Sequence, residues 1–215
     1  MEKDPLISIV MATIIEAKPF VLGMSLTEYG KKPFPIYKKD NILLVISGIG
    51  KANAAMASAY CCREFNPSCI CNLGAAGTVG FIHPLGEIFH ITKILEHDRP
   101  EFSSDKPVVH NPHILDGFQN ATLSTGDRAI KDPEERMKIS RFADLVDMEG
   151  ASVVQACRIF ETKCYVFKFV SDTPEHTDDG DIIKHIRTYR TPFYDFFIRS
   201  VLKRVKQHSR IELNP

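Results

Sequence analysis

The chain has 215 residues, with 27 Lys and Arg against 27 Asp and Glu, so its formal charge is zero. That balance excludes a uniformly basic nucleic-acid binder, because neutralising phosphates takes a surplus of Lys and Arg. A hydrophobic content of 44% excludes a disordered polyelectrolyte. A domain of this length buries roughly 70% of its unfolded surface, and the reading is one domain over residues 1–215. The core must rest on aliphatics and 14 Phe, since there is no Trp. Six cysteines include the adjacent pair Cys61 and Cys62 in an apolar run, and Cys69 and Cys71 two apart. No second pair follows at zinc spacing, so buried thiols, a reducing cytoplasmic setting and no metal are expected. Apolar runs break off before the roughly 18 residues of a membrane span. Residues 1–5 (MEKDP) lack the basic start of a signal peptide.

Residues 6–12 (LISIVMA) are a short, β-branched apolar run and read as a buried strand. Residues 42–47 (ILLVIS) read likewise and run into Gly48-Ile49-Gly50. An alanine-rich helix follows over 51–65 and ends at Asn66-Pro67. Further strands are read at 69–73, stopped by Gly74-Ala75-Ala76-Gly77, and at 88–95, 122–124 and 144–148. A helix to about residue 160, a strand at 164–170 and a last amphipathic helix at 193–206 complete the order. Lys203, Arg204 and Lys206 near that end suit the helix dipole and form a solvated face. The stretch 99–117, with three Pro and two His, reads as a loop interrupting a domain. Alternating strands and helices predict an α/β protein with a parallel or mixed sheet covered by helices on its faces.

Several predicted strands end in similar residues. The first runs into Thr13-Ile14-Ile15-Glu16, the third into Asn72-Leu73-Gly74, and later ones into Asp147-Met148-Glu149-Gly150 and Ser171-Asp172. Ligands of open α/β sheets sit at the carboxyl ends of strands, so Glu16, Glu149 and Asp172 are expected to converge there. Glycines nearby would let backbone approach a ligand. Three carboxylates on separate strands, with no compact D-x-D, suit glycosidic cleavage better than a metal. One acid protonates the leaving group, another activates water, and a third accepts from sugar hydroxyls. No G-x-S-x-G elbow, G-x-G-x-x-G or P-loop occurs.

On the segments IVMATIIEAKPFV, SGIGKANAA, NLGAAG, LSTGD, VDMEGASVVQAC and FVSD, which span most of the chain, the sequence resembles the nucleoside phosphorylase and nucleosidase superfamily. It looks most like the 5′-methylthioadenosine/S-adenosylhomocysteine nucleosidases and their futalosine hydrolase relatives. The resemblance implies a three-layer α/β/α sandwich around a mixed, partly barrelled sheet. It also implies a small-molecule nucleoside substrate, no cofactor and a homodimer. Glu16 matches the glutamate that activates water, and Asp172 the aspartate that protonates purine nitrogen 7. Glu149 matches the residue that grips the ribose hydroxyls, with Met148 packing on the sugar. Ile49 matches the lining of the 5′-substituent pocket, and Ile130 the residue whose backbone meets the base. Ala75, Gly77, Ala129, Asp147 and Ser171 complete the implied binding site.

Phosphorylases of this family carry arginines after the first strand and before the NLGAAG-like loop. Here those places hold Glu16 and Cys69-Ile70-Cys71, so water is the expected nucleophile. A phosphorylase and a non-catalytic member of the fold are the alternatives. Three departures stand out: Ala129 replaces an aromatic that stacks on the base, Ala75 a serine, and Thr13 a small or apolar residue. The Asp147 side chain should face away from Glu149, in a structural role. Asp127 reads as a turn residue that orders the site, and His110 and His113 as surface residues. His97 and Asp98 read as an exposed polar pair, and His176 as part of a flap.

Overall fold

The computed structural model describes residues 5–80, 82–100 and 106–211. In chain order the elements are β1 (Ile7–Met11), α1 (Ile14–Gly23), β2 (Thr27–Gly30), β3 (Ile36–Lys39), β4 (Ile42–Ile46), α2 (Lys51–Phe65), β5 (Cys69–Thr78) and β6 (Ile88–Pro100). There follow β7 (Pro107–His110), β8 (Asn120–Thr125), α3 (Pro133–Ile139), β9 (Leu145–Asp147), α4 (Gly150–Ile159), β10 (Lys163–Asp172) and α5 (Asp179–Phe196). One π turn, Phe197–Val201, joins α5 to α6 (Leu202–Ile211).

Side-chain alternation along the buried strands makes the layers. Ile7, Ile9 and Met11 of β1, Ile42 and Leu44 of β4, and Tyr165, Phe167 and Phe169 of β10 face one side. They pack on Phe20 of α1, Phe193 of α5, Phe197 of the π turn and Val205 of α6. Val10, Leu43, Val45, Ile70 and Val166 face the other side, against Ala54, Ala57 and Cys61 of α2 and Val154 and Cys157 of α4. One face is filled with rings and the other with small side chains, which lets α2 and α4 lie close to the sheet. All six cysteines are buried free thiols.

The sheet is mixed and partly closed. β5 pairs in parallel with β1 and β10 and antiparallel with β9. β10 also pairs with β6, β6 with β8, and β8 with β9, so β5, β10, β6, β8 and β9 form a ring. From β5 the sheet continues through β1, β4 and β3 to β2 as an open arm. This is the partly barrelled α/β/α arrangement that the resemblance implies. No helix among the described residues is long and apolar enough to cross a membrane.

Several boundaries differ from the sequence reading. The strand read at 69–73 does not stop at Gly74 but runs to Thr78, paired along its length with β10. Glycine is tolerated inside a strand where another side chain comes close, and such contacts occur at Gly74 and Gly77. The strand at 88–95 extends to Pro100. The loop 99–117 contains β7, and its residues 101–105 lie outside the described ones. The last helix begins near Asp179 rather than 193, because Asp178 caps it by accepting from the Gly180 N–H at 2.8 Å. Pro192, inside that helix, masks its length in the sequence.

Candidate active site

Glu16 is placed by the start of α1. Thr13 is the helix N-cap, and Glu16 completes a capping box: its Oε2 accepts from the Thr13 N–H at 3.0 Å and from Thr13 Oγ1 at 2.7 Å. Glu16 Oε1 accepts from the Ala75 N–H at 2.9 Å. A Cβ on Gly74 would stand 2.8 Å from that oxygen, so the bare glycine makes room for the carboxylate. The T-x-x-E spacing was the signal for α1, and for Thr13, that the strand-end reading passed over.

Glu149 sits where β9 turns into α4. It occupies the N-cap position but does not cap the helix with its side chain. Asp147 does so instead, accepting from the Gly150 N–H at 2.9 Å. The Glu149 carboxylate is thereby released toward the cavity, where Oε1 accepts from the Gly50 N–H at 2.9 Å. Gly50 has φ of 99°, a conformation that favours glycine. Burial and then the charge of Asp147 push the Glu149 carboxyl up to about 7, against the pull of Lys168 and the Gly50 N–H.

Asp147 also accepts from Thr125 Oγ1 at 2.6 Å and pairs with Lys168 at 2.8 Å. Its carboxylate is fully engaged by protein, so Asp147 lines the cavity while its charge serves the structure. Burial pulls the Lys168 ammonium down, but Asp147, Glu149 and Glu16 outweigh it and raise the group overall. A lysine within the Phe- and Val-rich strand β10 was a legible sign of a buried ion pair, and the sequence reading missed it.

Asp172 ends β10. Ser171 Oγ donates to its Oδ1 at 2.7 Å, and Arg136 Nη2 pairs with its Oδ2. A Cβ on Gly77 would overlap Oδ2, so this glycine too exists to admit a carboxylate. Arg136 comes from α3, is 2% exposed, and further donates from Nε to the Ile130 carbonyl at 2.8 Å and from Nη1 to the Thr78 carbonyl at 2.6 Å. The sequence reading noted no arginine near the first and third strand ends, and that local statement holds. An arginine nevertheless enters the cavity from the polar segment KDPEERMKIS, where nothing in the pattern sets it apart from a solvated helix face.

One cavity gathers all the sequence-predicted residues. Glu16, Glu149 and Asp172 line it with Ile49, Ala75 and Gly77. Ala129, Ile130, Asp147, Met148 and Ser171 line it as well. The structure adds Arg128, Lys131 and Arg136 on the α3 side and Ile182 and Ile186 from α5. Arg128 pairs with Glu135, and Lys131 reaches Asp179 at 2.6 Å, bridging the approach to α3 and the start of α5.

Outside the cavity, His110 corrects the sequence reading. It is buried rather than on the surface, because β7 pairs with β6 and sets its Nε2 2.8 Å from Glu96 Oε1. His113 is exposed. Asp127 accepts from the Lys51 N–H at 2.9 Å, and Asp98 pairs with Lys51 Nζ at 2.6 Å, which ties β6 to the start of α2. His97 stands 2.9 Å from Ser124 Oγ, and His176 2.9 Å from Thr173 Oγ1. Among the described residues no group of three or more His, Cys, Asp or Glu is arranged to hold a metal ion.

Comparison with known proteins adds an independent line. The chain is 32% identical over 163 residues to the 5′-methylthioadenosine/S-adenosylhomocysteine nucleosidase of Bacillus subtilis, covering 63% of this chain and 70% of that protein. To the protein of that name from Bacillus velezensis it is 30% identical over 177 residues, 70% of this chain and 76% of the relative. The nucleosidase from Neisseria meningitidis, solved with methylthio-immucillin-A, superposes with a TM-score of 0.80 at 22% identity, over 94% of this chain and 99% of that one. A futalosine hydrolase mutant from Helicobacter pylori superposes with a TM-score of 0.78 at 18% identity, over 90% of this chain and 97% of that one. Those two likenesses establish the shared fold. The family model described as the phosphorylase superfamily matches residues 28–117 and 113–201, and the chain belongs to that superfamily.

Proposed function

We propose that this protein is a purine nucleoside N-glycosidase that uses water to break the N-ribosidic bond of a 5′-modified nucleoside. The observation that carries the reading is the meeting of Glu16, Glu149 and Asp172 in one cavity. Asp172, at the Ile130 and Arg136 end, protonates nitrogen 7 of the base, and the C1′–N bond breaks as the base departs. Positive charge develops on the ribose ring in an oxocarbenium-like transition state. Glu149 accepts from the ribose hydroxyls, and Met148 packs on the sugar. Glu16 takes a proton from the water whose oxygen bonds to C1′. Ile49, at the mouth, borders the 5′-substituent.

The choice of water over phosphate follows from charge. A phosphate dianion beside Glu16 and Glu149 would face two acids. Of the arginines lining the cavity, Arg128 pairs with Glu135, and Arg136 pairs with Asp172 rather than with Glu16 or Glu149. The compounds in the relatives' names, methylthioadenosine, S-adenosylhomocysteine and futalosine, define the substrate class to try. A homodimer accompanies this reading, and the exposed Met56 on α2 supplies apolar surface for it.

The test is one set of incubations with those three nucleosides, 5′-deoxyadenosine, inosine and uridine, with products identified by mass spectrometry. Release of free base and free sugar from a 5′-modified purine nucleoside is the expected result. Cleavage of uridine alone, or of none, would overturn the reading.

A further inference from the structure

The base end of the cavity carries a guanidinium that the mechanism above does not use. Arg136 has three named acceptors, the carbonyls of Ile130 and Thr78 and Asp172 Oδ2. A guanidinium offers five N–H donors and no acceptor. Among the described residues two donors are left over, on a side chain that lines the cavity. Its Nη2 shares Asp172 Oδ2 with the space beside Gly77, where a Cβ would lie 3.1 Å from Nη2. A base whose nitrogen 7 meets the Asp172 carboxylate would come beside the guanidinium paired with it.

The two purine classes differ at that edge. A 6-oxopurine presents two acceptors, nitrogen 7 and oxygen 6, whereas adenine presents an acceptor and an amino donor. Arginine is the usual partner of the first pattern, and carboxamides are the partners of the second. Here the acceptors near that edge, Asp172 Oδ2 and the Ile130 carbonyl, each already hold one hydrogen bond from Arg136. An adenine amino group would have to share those acceptors with Arg136 and would face its spare donors. Ala129 adds no aromatic face that would hold an adenine by stacking instead.

The geometry points to Arg136 as the residue that selects a 6-oxopurine base, so that 5′-modified inosine-type nucleosides are the preferred substrates. This rests on the N-glycosidase reading of the same cavity. A donor paired with an acceptor, against a donor facing a donor, gives discrimination on the order of tenfold or more.

The experiment compares kcat/KM for matched pairs: 5′-methylthioinosine against 5′-methylthioadenosine, and 5′-deoxyinosine against 5′-deoxyadenosine. The expected ratio favours the inosine member by about tenfold or more in each pair. In Arg136→Met the ratio should fall toward one, while Arg136→Lys, which keeps a donor, should retain part of it. Equal losses for both members in Arg136→Met would mean that the residue only supports the fold, and would overturn the inference. The wild-type ratio decides by itself if neither variant folds. Preference for the adenosine members overturns this inference and leaves the N-glycosidase reading standing. Cleavage of neither member overturns both.

Discussion

Glu16 and Glu149, which we propose mark the sugar end of the cavity, are held in a different way from Asp172, proposed for its base end. Backbone N–H groups do most of the holding of the glutamates: Thr13 and Ala75 donate to Glu16, with the Thr13 hydroxyl as one side-chain donor, and Gly50 donates to Glu149. Side chains fix Asp172, through Ser171 and Arg136. Backbone donors come from helix starts and strand edges, so the sugar end is built into the fold. The base end depends on an arginine from α3, a helix that contributes little else to the site.

Both ends share one device. Gly74 clears space for Glu16, and Gly77 clears space for Asp172. The glycines of NLGAAG make room for the protein's own carboxylates.

Breaking the base end should cost most. In Asp172→Asn the amide cannot donate the carboxyl proton, and turnover should fall by about 10²–10⁴ while ligand still binds, as read by steady-state rates and calorimetry. Unchanged turnover would remove Asp172 from the role of acid. Gly77→Ala comes next, since its Cβ must displace Asp172 Oδ2 and crowd Arg136. A shift near 1 Å costs about 10² in kcat/KM, with about 1–3 kcal/mol of stability lost to overpacking. Comparing it with Gly74→Ala by kinetics and thermal melting shows which end tolerates less displacement.

The sugar end should give a pH signature. Glu149 in the folded protein holds its proton up to about 7, against 4.5 as its ordinary value. A raised carboxyl favours the folded state at low pH, so stability should decline as pH rises from about 4.5 to about 7. Binding runs the opposite way, because only the ionised carboxylate accepts from two hydroxyls. The kcat/KM should therefore drop about tenfold per unit below pH 7. Glu149→Gln should lose that limb of the profile and melt about 2–4 °C higher above pH 7, for a gain near 1 kcal/mol. An unchanged profile in the variant would place the titration elsewhere.

Glu16 and Glu149 were legible as acids at the ends of predicted strands, although the T-x-x-E capping box that holds Glu16 was passed over. The order of the buried strands was legible from short β-branched runs. The base end was only half legible. Asp172 follows a strand, but Arg136 lies in a charged helix whose pattern is that of any solvated face, and its acceptors, the Thr78 and Ile130 carbonyls and Asp172, come together only in the fold. Lys168 was readable as a charge in an apolar strand. Asp178 was readable as a cap, although Gly180 and Pro192 obscured the helix it begins. His110 was not readable, since its burial depends on the pairing of β7 with β6.

The central proposal is that Glu16 activates water and that Glu16 and Glu149 together exclude phosphate. Its most direct test is the initial rate on the best substrate as phosphate is raised from none to millimolar levels, with the sugar product weighed by mass spectrometry. The account predicts full turnover without phosphate, no acceleration on adding it, and free sugar throughout. A rate that requires phosphate, with sugar 1-phosphate as the product, would contradict it.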